Sequence, residues 1–410
     1  METVAAKKRV LFVDDEPNVL AGLRTRLHRY RSRWEMVFCQ SGEEALQACA
    51  KEPFDVVVSD LRMPRMNGAE LLRQIREKYP DTVRIVLSGE AEVQVGLRVA
   101  AEAHQFLAKP CDPSVLERAI ERSCALQAEL SDPALRQIVG RTDSLPSAPA
   151  TYAAVTEALK DPRCSLEDIA KVIGADVGMS AMLLKLVNSA FFALPQPTSS
   201  IERAVGILGV ETLRSLALGM GAFECFRCQQ ALGHCSIERL MAHSLAVGRL
   251  SKCMLNDPRQ QEDAFTAGML HDVGKLVLGA RAPERLRSVF ERAMQERLPM
   301  YMAEQQVSGV DHGMIGAYLL GLWNLPLSIV EAIANHHRPV WQAGQALDLA
   351  LAVHLADVLI HESSPQSPDG CDQSLFFPDP RMVRELRLEE SLPKWRALAG
   401  ELSGAEVENP

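Results

Sequence analysis

The first 123 residues alternate five short apolar runs with longer amphipathic stretches, and this alternation constrains the fold more than any other feature. The stretches between the runs repeat apolar residues at helical spacing, as in Val19, Leu20, Leu23 and Leu27. Strands that alternate with helices predict a parallel sheet that is covered on both faces. The predicted strands are Arg9–Val13, Glu35–Cys39, Asp55–Ser59, Arg84–Leu87 and Gln105–Ala108.

The strand pattern stops after Asp112. Residues 113–130 predict one amphipathic helix, and the proline-rich segment 145–149 marks a boundary. Every later periodic segment is helical, which predicts a compact bundle. The helices are expected at 151–160, 165–175, 179–191, 200–206, 210–230, 237–255, 261–280, 283–297, 312–322, 327–336, 346–362 and 380–403. We therefore predict four parts, namely an α/β domain over 1–123, a helical linker over 124–144, an all-α domain over 145–340 and a helical extension over 341–410.

Charge and composition exclude several classes of function. The chain has 44 Lys and Arg against 53 Asp and Glu, a net charge of −9, and no basic stripe, so we expect no direct binding of nucleic acid. There is no apolar leader and no apolar run of about eighteen residues, which predicts a cytoplasmic protein without a membrane span. In such a chain the 10 cysteines are expected to be reduced.

Polar side chains follow the ends of four predicted strands. Asp14 and Asp15 follow the first strand, Asp60 follows the third, and Ser88 and Lys109 follow the fourth and fifth. The carboxyl ends of parallel strands meet at one crevice, so these side chains should lie together. Three carboxylates there would repel one another without a cation, and a set of oxygen ligands favours Mg²⁺.

This constellation predicts phosphoryl transfer. Asp60 would be the nucleophile, Mg²⁺ would neutralise the transferring charge, and Lys109 would stabilise the acyl phosphate. The hydroxyl of Ser88 would hold a phosphoryl oxygen. The alternative, a solvated acidic loop beside an ordinary Lys-Pro turn, does not account for five residues of suitable type at the ends of four strands.

Four motifs together resemble a response-regulator receiver: Val10–Pro17, Ser59–Pro64 with Asn67-Gly68, Leu87–Gly89 and Phe106–Pro110. The resemblance covers residues 8–123 and implies a flavodoxin-like, doubly wound sheet of five strands, with a histidine kinase as the phosphoryl donor. It also implies that Asp15, Asp60 and the carbonyl of Arg62 bind Mg²⁺ with Asp14 in support, and that Ser88 and Phe106 form a switch pair.

A second resemblance lies in the helical part. The segment Asp176–Phe192, followed by Ser200–Val205, Leu208-Gly209 and Leu213–Ala217, resembles the HD-related output domain, HDOD. It implies an all-α HD-type fold placed behind a sensor or receiver. By periodicity alone, most of these leucines and valines are core residues.

Histidine and aspartate recur through the helical domain. Imidazoles and carboxylates on facing helices can hold one or two transition-metal ions, which could support hydrolysis of a phosphodiester with Lys275 helping to bind phosphate. We expect one group to converge on a single point, and His312 and His336 to lie near a second. The first group is His243, His271, Asp272 and Asp357. The candidate ligands are His243, His271, Asp272, His312, His336, His337 and Asp357.

Two functions remain open for the helical domain. The order of its histidines resembles that of HD-type phosphohydrolases, which would make the chain a phosphorylation-gated enzyme, with cyclic-di-GMP as one substrate. However, His336-His337 runs into Arg338-Pro339 without a Gly-Tyr-Pro motif, and HDOD members are usually regarded as non-catalytic. The other function is a signalling scaffold that binds an unknown downstream protein, with the histidines in a structural hydrogen-bond cluster.

Two weaker features also leave alternatives. Cys225, Cys228, His234 and Cys235 have the residue types of a zinc site, but they continue an amphipathic pattern in which cysteine packs well. The helix predicted over 113–130 could form a homodimer or relay surface, or simply cover the sheet.

Overall fold

In the computed structural model, five strands form one parallel sheet near the N-terminus, in the order β2-β1-β3-β4-β5. The described residues are 7–88, 102–130, 132–146, 149–159, 163–189, 192, 194, 196–219, 236–363 and 378–404, without the side chains of 88, 149, 150, 152, 211 and 214–219. The strands are β1 (Lys8–Val13), β2 (Trp34–Cys39), β3 (Val56–Asp60), β4 (Val83–Ser88) and β5 (Gln105–Ala108).

Helices cover this sheet, and their starts follow local capping rules. The last four residues of β1 and all of β3 are buried, as expected for strands covered on both faces. Ser41 and Asn67 each accept a hydrogen bond from a backbone N–H of the first helical turn. The helices are α1 (Pro17–Leu27), a 3₁₀ turn (His28–Tyr30), α2 (Gly42–Lys51), α3 (Gly68–Lys78), α4 (Pro113–Glu129) and α5 (Pro133–Gly140).

The described chain after residue 146 is helical, so the predicted order of an α/β domain followed by an all-α domain is confirmed. The helices are α6 (Pro149–Ala158), α7 (Leu166–Ile173), α8 (Val177–Val187), α9 (Ile201–Gly219), α10 (Ile237–Met254), α11 (Pro258–Leu270), α12 (Val273–Arg281), α13 (Pro283–Glu296), α14 (Met300–Ser308), α15 (His312–Leu322), α16 (Leu327–Asn335), α17 (Leu349–Ser363), α18 (Pro380–Glu385) and α19 (Leu392–Gly404).

The structure corrects two of the predicted helices and adds one. The helix expected over 261–280 is two helices, α11 and α12, which meet at His271-Asp272. The helix expected over 380–403 is also two, and α14 was not predicted. The break expected between 200–206 and 210–230 is present as a kink inside α9, where Gly209 has a non-helical φ of 70°; residues 220–230 lie outside the described part of the chain. Apolar periodicity missed the breaks within 261–280 and 380–403 because it continues across a short turn.

Contacts divide the chain into two compact units. One comprises Met1–Asp143, Leu186–Gln196 and Gly321–Asn324, and the other comprises the remaining residues. In the second unit, α10 packs against α11 and α17, and α16 packs against α11 and α17. Gly248 and Gly268 face each other where α10 meets α11, and a Cβ on Gly268 would overlap the backbone of Gly248. Among the described helices, none is long and apolar enough to cross a membrane.

Candidate functional site

At the carboxyl end of the sheet, one lysine joins two buried aspartates. The Nζ atom of Lys109 lies 2.6 Å from Oδ2 of Asp14 and also pairs with Oδ1 of Asp60. Asp14 and Asp60 are 2% and 8% exposed. Burial disfavours the ammonium of Lys109, but the hydrogen bonds to the two aspartates outweigh burial and raise the pKa of Lys109.

The backbone holds both carboxylates in place. The N–H of Glu16 donates to Oδ1 of Asp14 at 3.0 Å, and the N–H of Arg62 donates to Oδ2 of Asp60 at 2.9 Å. Asp15 is half-buried beside Asp14. A Cβ on Gly68 would overlap the carbonyl oxygen of Asp60, so a glycine is needed behind the aspartate.

The predicted switch pair is described only in part. Phe106 is buried in β5, at 6% exposure, and Ser88 ends β4 in register with Ala108. The side chain of Ser88 and the loop over 89–92 lie outside the described residues, as do the four residues of the weak zinc motif.

The helical unit gathers the predicted histidines and aspartates at the centre of its core helices. His243 lies inside α10, which matches the helix predicted over 237–255, and Asp357 lies inside α17. His271 and Asp272 occupy the break between α11 and α12, where Asp272 has φ −95° and ψ 8°. Because neighbouring residues in a continuous helix point about 100° apart, this break allows both side chains to face one site.

Three imidazoles surround one oxygen of Asp357. Its Oδ1 lies 3.1 Å from Nε2 of His243, 3.6 Å from Nε2 of His271 and 2.9 Å from Nδ1 of His361. The ligand atoms of His243, Asp357 and His361 lie within 4.8 Å of one another, and so do those of His271, His336 and Asp357. These spacings suit the coordination sphere of a metal ion.

A second group of contacts surrounds Asp272 and His312. Nε2 of His312 lies 2.9 Å from Oδ1 of Asp272 and 2.9 Å from Nε2 of His337. Oδ2 of Asp272 accepts a hydrogen bond from Nζ of Lys275 at 2.8 Å. His243, His271 and Asp272 form a third triplet within 4.8 Å, and His312, His336 and His337 form a fourth. All seven candidate ligands therefore belong to one contiguous cluster.

The charge of the cluster is unbalanced when its histidines are neutral. Asp272, Asp357 and Glu304 are at most 2% exposed, and Lys275 is the ammonium that faces them among the cluster residues described. A buried carboxylate without compensation costs several kcal/mol, so the cluster requires further positive charge. Protons or metal ions could supply it.

The pKa values of the histidines reflect two opposing effects: burial disfavours the charged ring, and neighbouring carboxylates favour it. Burial disfavours the charged ring of His312, but Glu304 and Asp272 outweigh burial and raise the pKa of His312 to about 10. Burial, assisted by the neighbouring ring of His361, lowers the pKa of His243 to about 4. Burial and the neighbouring histidines also lower the pKa values of His336 and His337. Burial also disfavours the charged ring of His271, but Asp272 and Asp357 outweigh burial and raise the pKa of His271. Without metal, His271 and His312 therefore favour the protonated ring, whereas His243, His336 and His337 favour the neutral one; a metal ion at Nε2 of His312 would replace the proton there.

Sequence reasoning missed two buried members of the cluster. His361 is 2% exposed, lies one turn beyond Asp357 on α17, and could have been found by its spacing of four residues. Glu304 is 1% exposed and lies on α14, the helix that was not predicted, so the pattern offered no signal for it.

A cavity of about 310 Å³ opens beside the cluster. His337, His354 and Asp357 line its inner side, and Tyr301, Arg338 and Trp341 are among the residues that line the remainder. The ring of Tyr301 stacks on His337 with centroids 4.4 Å apart, and the guanidinium carbon of Arg338 lies 5.5 Å from the Tyr301 centroid. The cluster therefore borders a cavity that is lined by two aromatic side chains, by Arg338 and by the acidic Asp379.

Comparison with known proteins finds two domain families in the chain. The response regulator receiver domain matches residues 10–121, and the HDOD domain matches residues 145–339. An uncharacterized protein of Treponema pallidum (strain Nichols) is 26% identical over 260 residues, which are 63% of this chain and 50% of that protein. The transcriptional regulatory protein GlrR of Escherichia coli (strain K12) is 30% identical over 131 residues, which are 32% of this chain and 29% of that protein.

Among solved structures, the MmoQ response regulator from Methylococcus capsulatus str. Bath matches 62% of this chain and 98% of its own, with 23% identity and a TM-score of 0.47. The chain spans half or less of the length of the two curated relatives above.

Proposed function

We propose that this chain, a response regulator that joins a receiver domain to an HDOD domain, accepts a phosphoryl group on Asp60 from a histidine kinase and thereby controls its helical domain. The observation that carries this proposal is the pairing of Lys109 with both Asp14 and Asp60 at the carboxyl end of the sheet. An ammonium between two buried carboxylates is suited to hold the charge that a phosphoryl group brings.

The acidic side chains also fit a divalent cation. Asp14, Asp15 and Asp60, with the carbonyl of Arg62, would hold Mg²⁺ through oxygen atoms alone. Bound there, Mg²⁺ would supply charge neutralisation during phosphoryl transfer. Of the chain's own groups, a carboxylate oxygen of Asp60 would attack phosphorus as the P–N bond to the kinase histidine breaks and releases its imidazole, and Lys109 would then pair with the acyl phosphate.

Mass spectrometry tests this assignment. The full chain is incubated with Mg²⁺ and acetyl phosphate, and the modified residue is mapped. We expect modification of Asp60, none in Asp60→Asn, and an unchanged yield in Asp81→Asn, whose aspartate lies before β4 at the opposite end of the sheet. Equal phosphorylation of Asp60→Asn would exclude Asp60 as the acceptor.

A second candidate function is favoured by the histidine cluster. We propose that the helical domain binds one or two first-row transition-metal ions and hydrolyses a phosphodiester, under control of the receiver. The observation that supports this is the convergence of His243, His271, Asp272, His312 and Asp357, each at most 2% exposed, in one contiguous cluster.

The residues of the cluster divide into two roles. His243, His271, Asp272 and Asp357 would hold one ion, and His312, His336 and His337 would contribute to a second. Such ions supply Lewis-acid chemistry for ester hydrolysis. Arg338 and the ring of Tyr301 would bind the phosphate and a planar base at the cavity mouth, which suits a cyclic dinucleotide such as cyclic-di-GMP.

Elemental analysis of the purified chain is the first test of this candidate. We expect at least one first-row metal ion per chain, retained in His28→Ala, whose histidine is exposed on the receiver, and lost in His271→Ala. Hydrolysis of bis(p-nitrophenyl) phosphate and cyclic-di-GMP is then measured with and without acetyl phosphate. A metal-free wild-type chain without hydrolysis would leave the scaffold as the function of the helical domain.

A further inference from the structure

We propose that Glu304 is a positioning residue that holds His312 in the tautomer required to bind metal through Nε2. The inference rests on the metal-binding function proposed above and names a residue that contributes to it from outside the ligand set.

Glu304 contacts His312 twice through a single oxygen. Its Oε2 accepts a hydrogen bond from the backbone N–H of His312 at 2.8 Å and from Nδ1–H of the imidazole at 2.6 Å. Both residues are at most 1% exposed. The two contacts fix the position of the His312 backbone and the rotation of its ring.

The hydrogen bonds of Glu304 determine where the imidazole proton resides. A carboxylate can only accept, so Nδ1 of His312 must carry a hydrogen. In the neutral ring, Nε2 then carries a lone pair, which faces Oδ1 of Asp272 and Nε2 of His337, each at 2.9 Å. Such electron-rich atoms remain together only if a proton or a metal ion lies among them.

Two other histidines of the cluster follow the same pattern with weaker partners. Nδ1 of His271 donates to the carbonyl of Gly268 at 2.6 Å, and Nδ1 of His336 donates to the carbonyl of Ile333 at 2.7 Å. All three rings therefore present Nε2 to the cluster. Only the partner of His312 is charged, and a carboxylate behind an imidazole makes the ring a better metal ligand than a carbonyl does.

A purely structural role for Glu304 is a distinct alternative. Its bond to the backbone N–H of His312 satisfies one free donor at the start of α15. The Glu304→Gln variant retains an oxygen that can accept this bond but loses the charge behind the ring. Metal affinity and the tautomer of His312 should therefore respond to the variant beyond any change in stability.

Titration with Co²⁺ measures the effect on the full-length chain after metal removal. We expect Glu304→Gln to weaken Co²⁺ binding by about 10–100-fold and to shift the visible absorption of the bound ion. The control is Glu331→Gln, an exposed glutamate on α16, which should bind Co²⁺ like the wild type. Identical affinity and spectrum in Glu304→Gln and wild type would overturn the inference while leaving the metal site intact.

Nitrogen-15 NMR of the wild-type chain loaded with Zn²⁺ provides a test that requires no variant. We expect His312 to be protonated at Nδ1 and free of hydrogen at Nε2. A hydrogen on Nε2 of His312 would overturn the role of Glu304 even if the chain binds metal. A wild-type chain that binds neither Co²⁺ nor Zn²⁺ would overturn both the inference and the proposed metal function.

Discussion

Nε2 of His312 lies 2.9 Å from Oδ1 of Asp272. Asp272 immediately precedes α12, and His312 is the first residue of α15. The contact between Asp272 and His312 depends on the close approach of Gly274, in the first turn of α12, to the backbone of His312. A Cβ on Gly274 would overlap the carbonyl oxygen of His312, so the first turn of α12 can approach α15 only because residue 274 has no side chain.

This close approach predicts a defect in Gly274→Ala. The added methyl group must push α12 away from His312, which should destabilise the fold by about 1–3 kcal/mol and lower the metal content. The measurement is urea denaturation together with elemental analysis. The matched control is Gly400→Ala in α19, where an added Cβ meets no atom within 4 Å and a gain of about 0.5–1 kcal/mol is expected. Equal effects at the two positions would contradict this account.

Chelation should destabilise the helical domain. Metal that binds the folded state alone, at about 100 times its Kd, contributes about 2.7 kcal/mol. We therefore expect a chelator to lower the melting temperature of the wild type and to leave that of Asp357→Asn unchanged, because the variant removes a buried ligand. A wild-type melting curve insensitive to chelator would count against bound metal.

Lys109→Gln should make the stability of the receiver depend on Mg²⁺. The substitution leaves Asp14 and Asp60 close together without a cation, at a cost of about 1–3 kcal/mol in metal-free buffer. Mg²⁺ should restore part of this loss. The control is Lys8→Gln, which removes a pair at 3.5 Å with 39% of the lysine side chain exposed, and should change stability by about 1 kcal/mol or less. A loss that Mg²⁺ does not reduce would oppose the prediction.

Arg84 should be important for the stability of the receiver unit. It is 1% exposed, and it donates from Nε to the carbonyl of Glu102 and from Nη2 to the carbonyl of Gly140, both at 2.8 Å. Arg84→Met leaves these buried carbonyls without a donor, and we expect a loss of about 3 kcal/mol in urea denaturation. Arg73→Met, at a position where 47% of the side chain is exposed, should lose about 0.5 kcal/mol or less. Similar losses in both variants would contradict the role of the buried bonds.

Phosphorylation of Asp60 should alter hydrogen exchange in the helical domain. A phosphoryl group on Asp60 adds about two negative charges beside Lys109. These charges should alter the ion pair that Lys109 now forms with Asp14. Exchange is compared in the wild type and Asp60→Asn, each with and without acetyl phosphate. Identical exchange throughout residues 145–340 of the wild type would oppose control of the output by the receiver.

The arrangement of the receiver was largely predictable from the sequence. The position of Asp60 at a strand end follows from apolar runs whose length and spacing determine a parallel sheet, and parallel strands bring their carboxyl ends together. Asp14, Asp60 and Lys109 are therefore close for a reason that is local to each strand.

The cluster in the helical domain was predictable only in its residue types. Periodicity placed His243 inside a helix, as the structure does, but it carried one helix through His271-Asp272, where the structure has a break. It also gave no indication of Glu304, because the segment that became α14 has a weak apolar pattern of its own.

The sequence alone determined which strands and most of the helices form, because these depend on short-range apolar spacing, capping residues and turns. Only the tertiary structure decided that Glu304, His361 and the predicted ligands meet in one site. Their distances depend on how α10, α11, α14 and α17 pack, through the small glycine contacts and the break at Asp272. Contacts between residues far apart in the chain are set by the packing of the whole core, which no local pattern encodes.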